Sequence, residues 1–418
     1  MGNLKGPILV VGGGISGITT ALEAAETGYE VVLIEKRPTL GGRVAGFHQY
    51  FPKLCPPTCG LEINYQRLRS SRKIQLHTAT EVAGVSGEAG NFTVQLVKSP
   101  TYVNEKCVMC DKCTAVCPSD VPSEHDYNMK DTKAIHLPHR MAFPQRYVVE
   151  RSHCPSGCTK CVDACAYGAI DLNQGSEEFE INAGSIVVAT GWKPYDPNKL
   201  TRLGYAQNED VINNVMMERI AAADGPTGGQ ITRPSDGKPV QSVAFVQCAG
   251  SRDQEHLPYC SSICCLASLK QANYVRQANP DSKVYVFYID IRTPGKFEGF
   301  YSRTREDENI QFVKGKVAKV EKGSNGKVIV EAEDILRGGK IRVEVDMVVL
   351  ATGMEPNMKF NGFPGEVIQL DQDGFAPSYS QKPGVFAVGV AQGPLDVNSS
   401  IQEATGVALK AIQTVQGG

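Results

Sequence analysis

The run CVMCDKCTAVCP, residues 107–118, places Cys107, Cys110, Cys113 and Cys117 at C-x2-C-x2-C-x3-C-P spacing, a pattern of iron–sulfur ligation. Three thiolates on one tight loop can hold three corners of a [4Fe-4S] cube. The fourth, just ahead of a proline, points away to a neighbouring cluster. A second run, CPSGCTKCVDAC, repeats the scheme with one extra residue in the first gap, through Cys154, Cys158, Cys161 and Cys165. With the fourth ligands crossed, one cluster takes Cys107, Cys110, Cys113 and Cys165, and the other takes Cys154, Cys158, Cys161 and Cys117. Four-thiolate zinc is the competing chemistry, but zinc motifs pair two C-x2-C knuckles and lack the regular third and fourth steps. Lys106, Lys112 and Lys160 are placed to stabilise reduced clusters, although solvation is the ordinary role of such lysines.

Six of the 14 cysteines lie outside these runs. FPKLCPPTCG holds Cys55 and Cys59, and VQCAGSRDQEHLPYCSSICCLAS holds Cys248, Cys260, Cys264 and Cys265. Three readings stay open: buried apolar packing, a redox-active thiol pair, or a third cluster whose ligands are Cys55, Cys59, Cys260 and Cys264. A structural disulfide framework belongs to short exported chains and does not suit this one.

These groups need elements to position them. PILVVGGGISGITTALEAAETGYEVVLIEKR reads as strand, glycine turn, helix ending at Gly28, and second strand closing on Glu35. Gly12 permits the tight turn, Gly14 lets a pyrophosphate approach, and Gly17 allows close helix–strand packing. The helix N-terminus offers its N–H groups to that phosphate. Glu35 is placed to bind the hydroxyls of an adenosine ribose. The candidate contacts in this region are Gly12, Gly14, Ile15, Ser16, Gly17, Glu35 and Lys36, followed by Gly42 and Arg43 of LGGRV and by Val82.

Two apolar strands end in Ala-Thr-Gly, SIVVATG (185–191) and MVVLATG (347–353), and resemble the strands at which the chain crosses between domains in disulfide-reductase-type flavoproteins. Thr190 and Gly191 of the first, and Gly389 and Ser400 of GVFAVGVAQGPLDVNSSIQEA, complete the expected FAD contacts. The acid usual after that last glycine is replaced by Val390, and Asp396 is the nearest carboxylate. Between the crossings, KPVQSVAFVQCAGSRD keeps a strand but only one glycine of three, so the second βαβ frame is expected to have lost nicotinamide binding.

The expected architecture is α/β: two Rossmann-like dinucleotide-binding domains with an inserted two-cluster ferredoxin module. Its segments are 1–99 (FAD domain), 100–172 (insert), 173–200 (FAD domain), 201–350 (degenerate NAD(P)H-type domain) and 351–418 (FAD domain). A net charge of −2 argues against nucleic acid as partner. No apolar run approaches the ~20 residues that span a bilayer, and the first strand starts where a signal peptide would lie. The expectation is a cytoplasmic chain that meets membranes only through partners.

CAGSRDQEHLPYCSSICCLASLKQA, FPKLCPPTC, the paired cysteine runs and VAQGPLDVNSSIQEA together resemble the A subunit of heterodisulfide reductase over most of the chain. The resemblance implies an iron–sulfur flavoprotein electron hub with FAD, two [4Fe-4S] clusters and a possible third. The chemistry would then belong to cofactors and not to a side-chain acid–base set. The chain's trimmed ends resemble the branch found in the quinone-interacting oxidoreductase of sulfate reducers. That branch implies electron passage between adenylylsulfate reductase and a menaquinone-linked haem b membrane subunit. Alternatives are a soluble heterodisulfide reductase or sulfur-oxidising complex, and a self-contained NAD(P)H oxidoreductase like the small subunit of glutamate synthase. A scaffold whose flavin is structural is the non-enzymatic rival.

Overall fold

The computed structural model describes residues 5–360, 367–378 and 381–417. The chain divides into two compact units, Met1–Trp192 with Pro356–Gly418, and Lys193–Glu355.

In the first unit β1 (Ile8–Val11) leads into α1 (Ile15–Glu26) and β2 (Val31–Glu35). There follow α2 (Thr58–Ser70), β3 (Ile74–Thr78), the hairpin strands β4 (Thr80–Glu88) and β5 (Asn91–Lys98), β6 (Glu177–Ala183) and β7 (Ser185–Val188). The parallel sheet runs in the order Val385–Ala387, β7, β1, β2, β3. Ile8 registers against both Val31 and Ser185, so β1 is central and all four of its residues are buried. An unbroken apolar run suits a strand covered on both faces. The helix stops at Glu26 with Thr27 as its C-cap, before the Gly28 on which the sequence pattern closes it.

Small residues let α1 meet the closing helix Val397–Gln416. Ala21, Ala25, Ala404, Ala408 and Ala411 are all buried, and the Thr20 hydroxyl donates across to the Ala404 carbonyl at 3.4 Å. Two close approaches fix the turn after β1. Gly12 has φ +112°, and a Cβ there would lie 2.4 Å from the Ala189 carbonyl oxygen. A Cβ on Gly17 would lie 1.8 Å from the Gly12 carbonyl oxygen.

β5 and β6 pair antiparallel from Lys98↔Glu177 to Phe92↔Ala183, so residues 99–176 leave and re-enter one small sheet at neighbouring points. The excursion holds only short elements: helices Lys112–Ala115 and Lys160–Asp163, and the strand pairs Asp120–Pro122/Asp131–Lys133 and Ile135–His136/Val148–Val149. Its core is Val103, Ile135, Tyr147, Val149, Ala169 and Ile170 around Cys113 and Cys161. So small an apolar core calls for a further staple.

The second unit contains β8 (Val211–Asn213), β9 (Ser242–Ala249), α3 (Cys264–Ala278), β10 (Lys283–Tyr288), β11 (Ile310–Lys314) and β12 (Met347–Thr352). These strands form a parallel sheet of order β8, β12, β9, β10, β11. A three-stranded antiparallel sheet, Val317–Lys322, Val328–Glu333 and Lys340–Val345, packs its buried valines with this unit's core. Strand order reverses at β9, whose carboxyl end therefore opens on the crevice where α/β sheets take ligands. Among the described residues no helix is long and apolar enough to cross a membrane.

The Gly17 contact yields a test. Gly17→Ala is expected to destabilise the chain by about 2–4 kcal/mol, because its methyl must displace backbone. Gly393→Ala, where a Cβ would meet nothing within 4 Å, is the control and should stay within about 0.5 kcal/mol. Urea unfolding monitored by circular dichroism measures both.

Candidate functional site: a dinucleotide cradle and three cysteine groups

The cradle starts at Gly14, the N-cap of α1, which has no side-chain cap and no acid in its first turn. A Cβ on Gly14 would meet only Gly42 Cα, at 3.9 Å, so the helix N-terminus is open to a close ligand. Gly42 abuts it in turn, since a Cβ there would lie 2.9 Å from Gly14 Cα. The Gly41 N–H donates to the Gly13 carbonyl at 2.8 Å, and the two glycine loops face each other. Glu35 accepts from the Gly13 N–H at 2.6 Å and from the Arg37 N–H at 2.8 Å. Burial raises its carboxyl above the ordinary range, and those two N–H groups oppose the shift. Uncapped N–H groups, absent side chains and a fixed carboxylate fit the phosphates and ribose of a dinucleotide.

Ile15 and Ser16 form the first turn of α1, with Ser16 buried. Lys36 points to solvent and pairs with Glu81 at 2.8 Å. Val82 is buried on β4 among Val11 and Ile34, so its side chain serves the core beneath the cradle. Asn357 ties both residues of the first crossing, donating Nδ2–H to the Thr190 carbonyl at 2.9 Å and N–H to the Gly191 carbonyl at 3.0 Å. A Cβ on Gly389 would lie 2.2 Å from Ser16 Oγ and 3.7 Å from Ser400 Cβ, so Gly389, Ser16 and Ser400 meet at one point.

Asp396 is the N-cap of the closing helix, accepting from the Ser399 N–H at 2.7 Å. The carboxylate that reaches the last glycine is instead Glu403, which accepts from the Gly389 N–H at 2.7 Å. In sequence Glu403 is indistinguishable from any acid on an amphipathic helix. Burial raises its carboxyl, opposed first by the Gly389 N–H and then by Gln392.

The cysteines are all free thiols. Cys117 lines one small pocket together with Cys154, Cys158 and Cys161. The sulfur of Cys161 interacts electrostatically with Cys154 and Cys158, and that of Cys113 with Cys107. Cys107, Cys117, Cys154 and Cys165 pack around the two buried thiols, while Cys110 is exposed. Cys165 Sγ accepts from the Ala169 N–H at 3.4 Å. Burial pushes the thiols of Cys113 and Cys161 up.

A third group assembles wholly within the second unit. Cys248 is the next-to-last residue of β9, Cys260 lies in the following loop, and Cys264 and Cys265 open α3. Cys264 interacts with Cys265, Cys248 and Cys260, and Cys265 interacts with Cys248 and Cys260. Burial pushes the Cys265 thiol up to about 11, and Cys264 also rises, by burial and then by its sulfur neighbours. Arg252 stands beside Cys248 and Arg292 beside Cys260 as positive neighbours. Among the described residues no three Cys, His, Asp or Glu side chains converge on a single-ion site. Cys55 and Cys59 belong to the first unit, next to the Tyr50 hydroxyl, whose proton they help retain after burial itself.

Known proteins share both the sequence and this frame. A family model described as the NAD(P)-binding Rossmann-like domain matches residues 10–66. The A subunit of the ferredoxin/F(420)H(2)-dependent CoB-CoM heterodisulfide reductase of Methanosarcina acetivorans is 37% identical over 425 residues, covering 98% of this chain and 53% of that protein. The iron–sulfur A subunit of the CoB–CoM heterodisulfide reductase of Methanocaldococcus jannaschii is 38% identical over 418 residues, covering 96% of this chain and 63% of that protein. Along 96–98% of its length the chain is similar to heterodisulfide reductase A subunits. It spans between about half and two thirds of the length of these curated relatives. The fold is that of flavoprotein disulfide reductases. Thioredoxin reductase from T. acidophilum superposes with TM-score 0.53 at 15% identity, covering 98% of this chain and 97% of that one. The bacillithiol disulfide reductase Bdr (YpdA) of Bacillus cereus superposes with TM-score 0.54 at 13% identity, covering 99% of both.

The raised Glu403 carboxyl has a checkable sign. A carboxyl raised in the fold supports folding fully below its ordinary value of 4.5 and loses that support as pH climbs through the raised value. Glu403→Gln keeps an acceptor for Gly389 without the charge. In the flavin-free chain its stability relative to the parent is expected to grow between about pH 4.5 and 7. Denaturant midpoints across that range check it, and a pH-independent difference is the contrary result.

Proposed function

We propose that this chain is the flavin- and iron–sulfur-bearing electron-transfer subunit of a heterodisulfide reductase-type complex. What supports the reading is one chain that joins a dinucleotide cradle to two cysteine runs of ferredoxin spacing and to the neighbouring Cys248, Cys260, Cys264 and Cys265. Each group is of the size that one cubane requires. Cys107, Cys110, Cys113 and Cys165 would hold the first cluster, and Cys117, Cys154, Cys158 and Cys161 the second. Cys248, Cys260, Cys264 and Cys265 would hold the third. This last set replaces the pairing of Cys55 and Cys59 with Cys260 and Cys264, because the second unit supplies four clustered thiols by itself.

FAD bound at the cradle exchanges electrons in pairs or singly, and the clusters exchange them singly. The chain's own residues do the rest. Gly12, Gly14 and Gly17 admit the pyrophosphate to the α1 N-terminus, Glu35 fixes the ribose, and Gly389 with Ser16 and Ser400 closes the far side. In the second unit the helix whose N-terminus would take a nicotinamide pyrophosphate opens instead with Cys264 and Cys265. Arg252 and Arg292 offset the negative charge of thiolate ligands there. We infer that reductant reaches the chain from partner subunits and not from NAD(P)H. The named relatives favour heterodisulfide reductase partners. The narrower expectation of adenylylsulfate reductase with a haem b quinone subunit has no counterpart among them.

The test is metal and flavin content after anaerobic purification. About 12 irons per chain with FAD are expected. Cys248→Ser or Cys260→Ser should remove about four of them and leave FAD in place. Zinc in place of iron, or an iron count unmoved by both variants, would contradict the assignment. NADH or NADPH added alone should leave the flavin absorbance unchanged.

A further inference from the structure

Resting on the reading of residues 12–43 as the FAD cradle, we propose that Tyr127 is a positioning residue of that cradle. It holds the Arg43 guanidinium, and thereby the segment between the two cysteine runs becomes part of the flavin site. Arg43 follows Gly42, whose backbone abuts Gly14 at the open end of α1. Its Nη1–H donates to the Tyr127 hydroxyl at 3.0 Å and its Nε–H to the Trp192 carbonyl at 3.1 Å. The guanidinium carbon lies 5.8 Å from the ring centres of both Tyr127 and Trp192. One long, rotamer-rich cation is thus held in a single geometry by the protein's own groups, which reduces the ordering cost of binding.

The way Tyr127 is presented argues for a purpose. Tyr127 and Asn128 have φ +53° and +61°, two successive residues other than glycine in the left-handed region. Such strain persists where the surroundings over-determine it, and it gathers at ligand sites. The turn is held by the Ser123 hydroxyl, which donates to Asp126 at 2.9 Å, and by the Asn128 N–H, which donates to the Ser123 carbonyl at 2.9 Å.

Three more ties join the same segment to the same loop. Arg37 pairs with Glu124 at 2.8 Å. The Leu40 N–H donates to the Phe143 carbonyl at 2.8 Å, and the Phe143 N–H donates to Thr39 Oγ1 at 2.8 Å. The Phe143 ring stacks on Tyr65 of α2, with centres 5.1 Å apart. Residues 37, 39, 40 and 43 of the cradle loop each hold a residue of the insert. A cation fixed in this partly buried place favours the phosphates of the dinucleotide and the negative charge gained on reduction.

The experiment uses the full chain purified anaerobically, with Tyr127→Phe, Arg43→Gln and the double variant. FAD retention is measured by fluorescence after ultrafiltration, and the flavin midpoint potential by spectroelectrochemistry. Tyr127→Phe keeps the ring and removes one hydrogen bond to a charged group, so about tenfold weaker FAD binding is expected. A lower flavin potential and unchanged iron content should accompany it. In the double variant, Tyr127→Phe should add nothing to the effect of Arg43→Gln. Parental affinity and potential in Tyr127→Phe, or effects that simply add, would overturn the proposal. So would loss of iron together with FAD, which marks a collapsed insert. A parent chain that binds no FAD would overturn the cradle reading itself, and the proposal with it.

Discussion

Both units of this chain share one constraint: the helix that follows the central parallel strand has no side-chain cap for the N–H groups at its N-terminus. Something negative must be able to come close enough to use them. In the first unit the constraint is met by removing side chains. Gly12, Gly14 and Gly17 leave nothing between α1 and an incoming phosphate, and Gly17 cannot accept even a methyl. In the second unit the equivalent helix opens with Cys264 and Cys265, and its N-cap residue Ile263 makes no side-chain bond. In our reading the anion there is thiolate and cluster, anchored by side chains, and the glycines become unnecessary. The same βαβ frame thus serves two kinds of negative ligand.

The insert is governed by where it joins the sheet. It enters and leaves at two adjacent points, through the direct pairing of β5 with β6. Such placement leaves the strand order of the flavin unit intact and fixes both ends of the module. Yet the module's own apolar core is a handful of residues around two buried cysteines. Metal binding that folds a segment contributes its binding free energy to folding. Cluster assembly is therefore tied to the stability of the insert, and through Arg37, Thr39, Leu40 and Arg43 to the shape of the cradle loop.

Much of the fold is legible in local pattern. The apolar run of β1, the glycine turn and the acid closing β2 are contiguous, and their physics is complete within thirty residues. The two cysteine runs are equally local. Contact between distant residues is what local pattern does not carry. Glu403 lies 14 residues beyond Gly389 on a helix face with several polar neighbours, and nothing in its spacing singles it out. Asp396 is the nearer carboxylate in sequence, yet it uses its oxygens to cap a helix. Cys248 lies outside the third ligand set expected from sequence, and the fold makes it a neighbour of Cys260. The ties from Glu124, Tyr127 and Phe143 to the cradle loop carry no motif at all.

The central claim is that flavin and clusters form one connected electron path within a single chain. The direct measurement is anaerobic stopped-flow reduction of the holoprotein by a low-potential one-electron donor, with flavin and cluster absorbance followed separately. The account requires the flavin to bleach along with the clusters, and at the same rate when the protein is diluted, because transfer is internal. A flavin that stays oxidised while the clusters are fully reduced would contradict it.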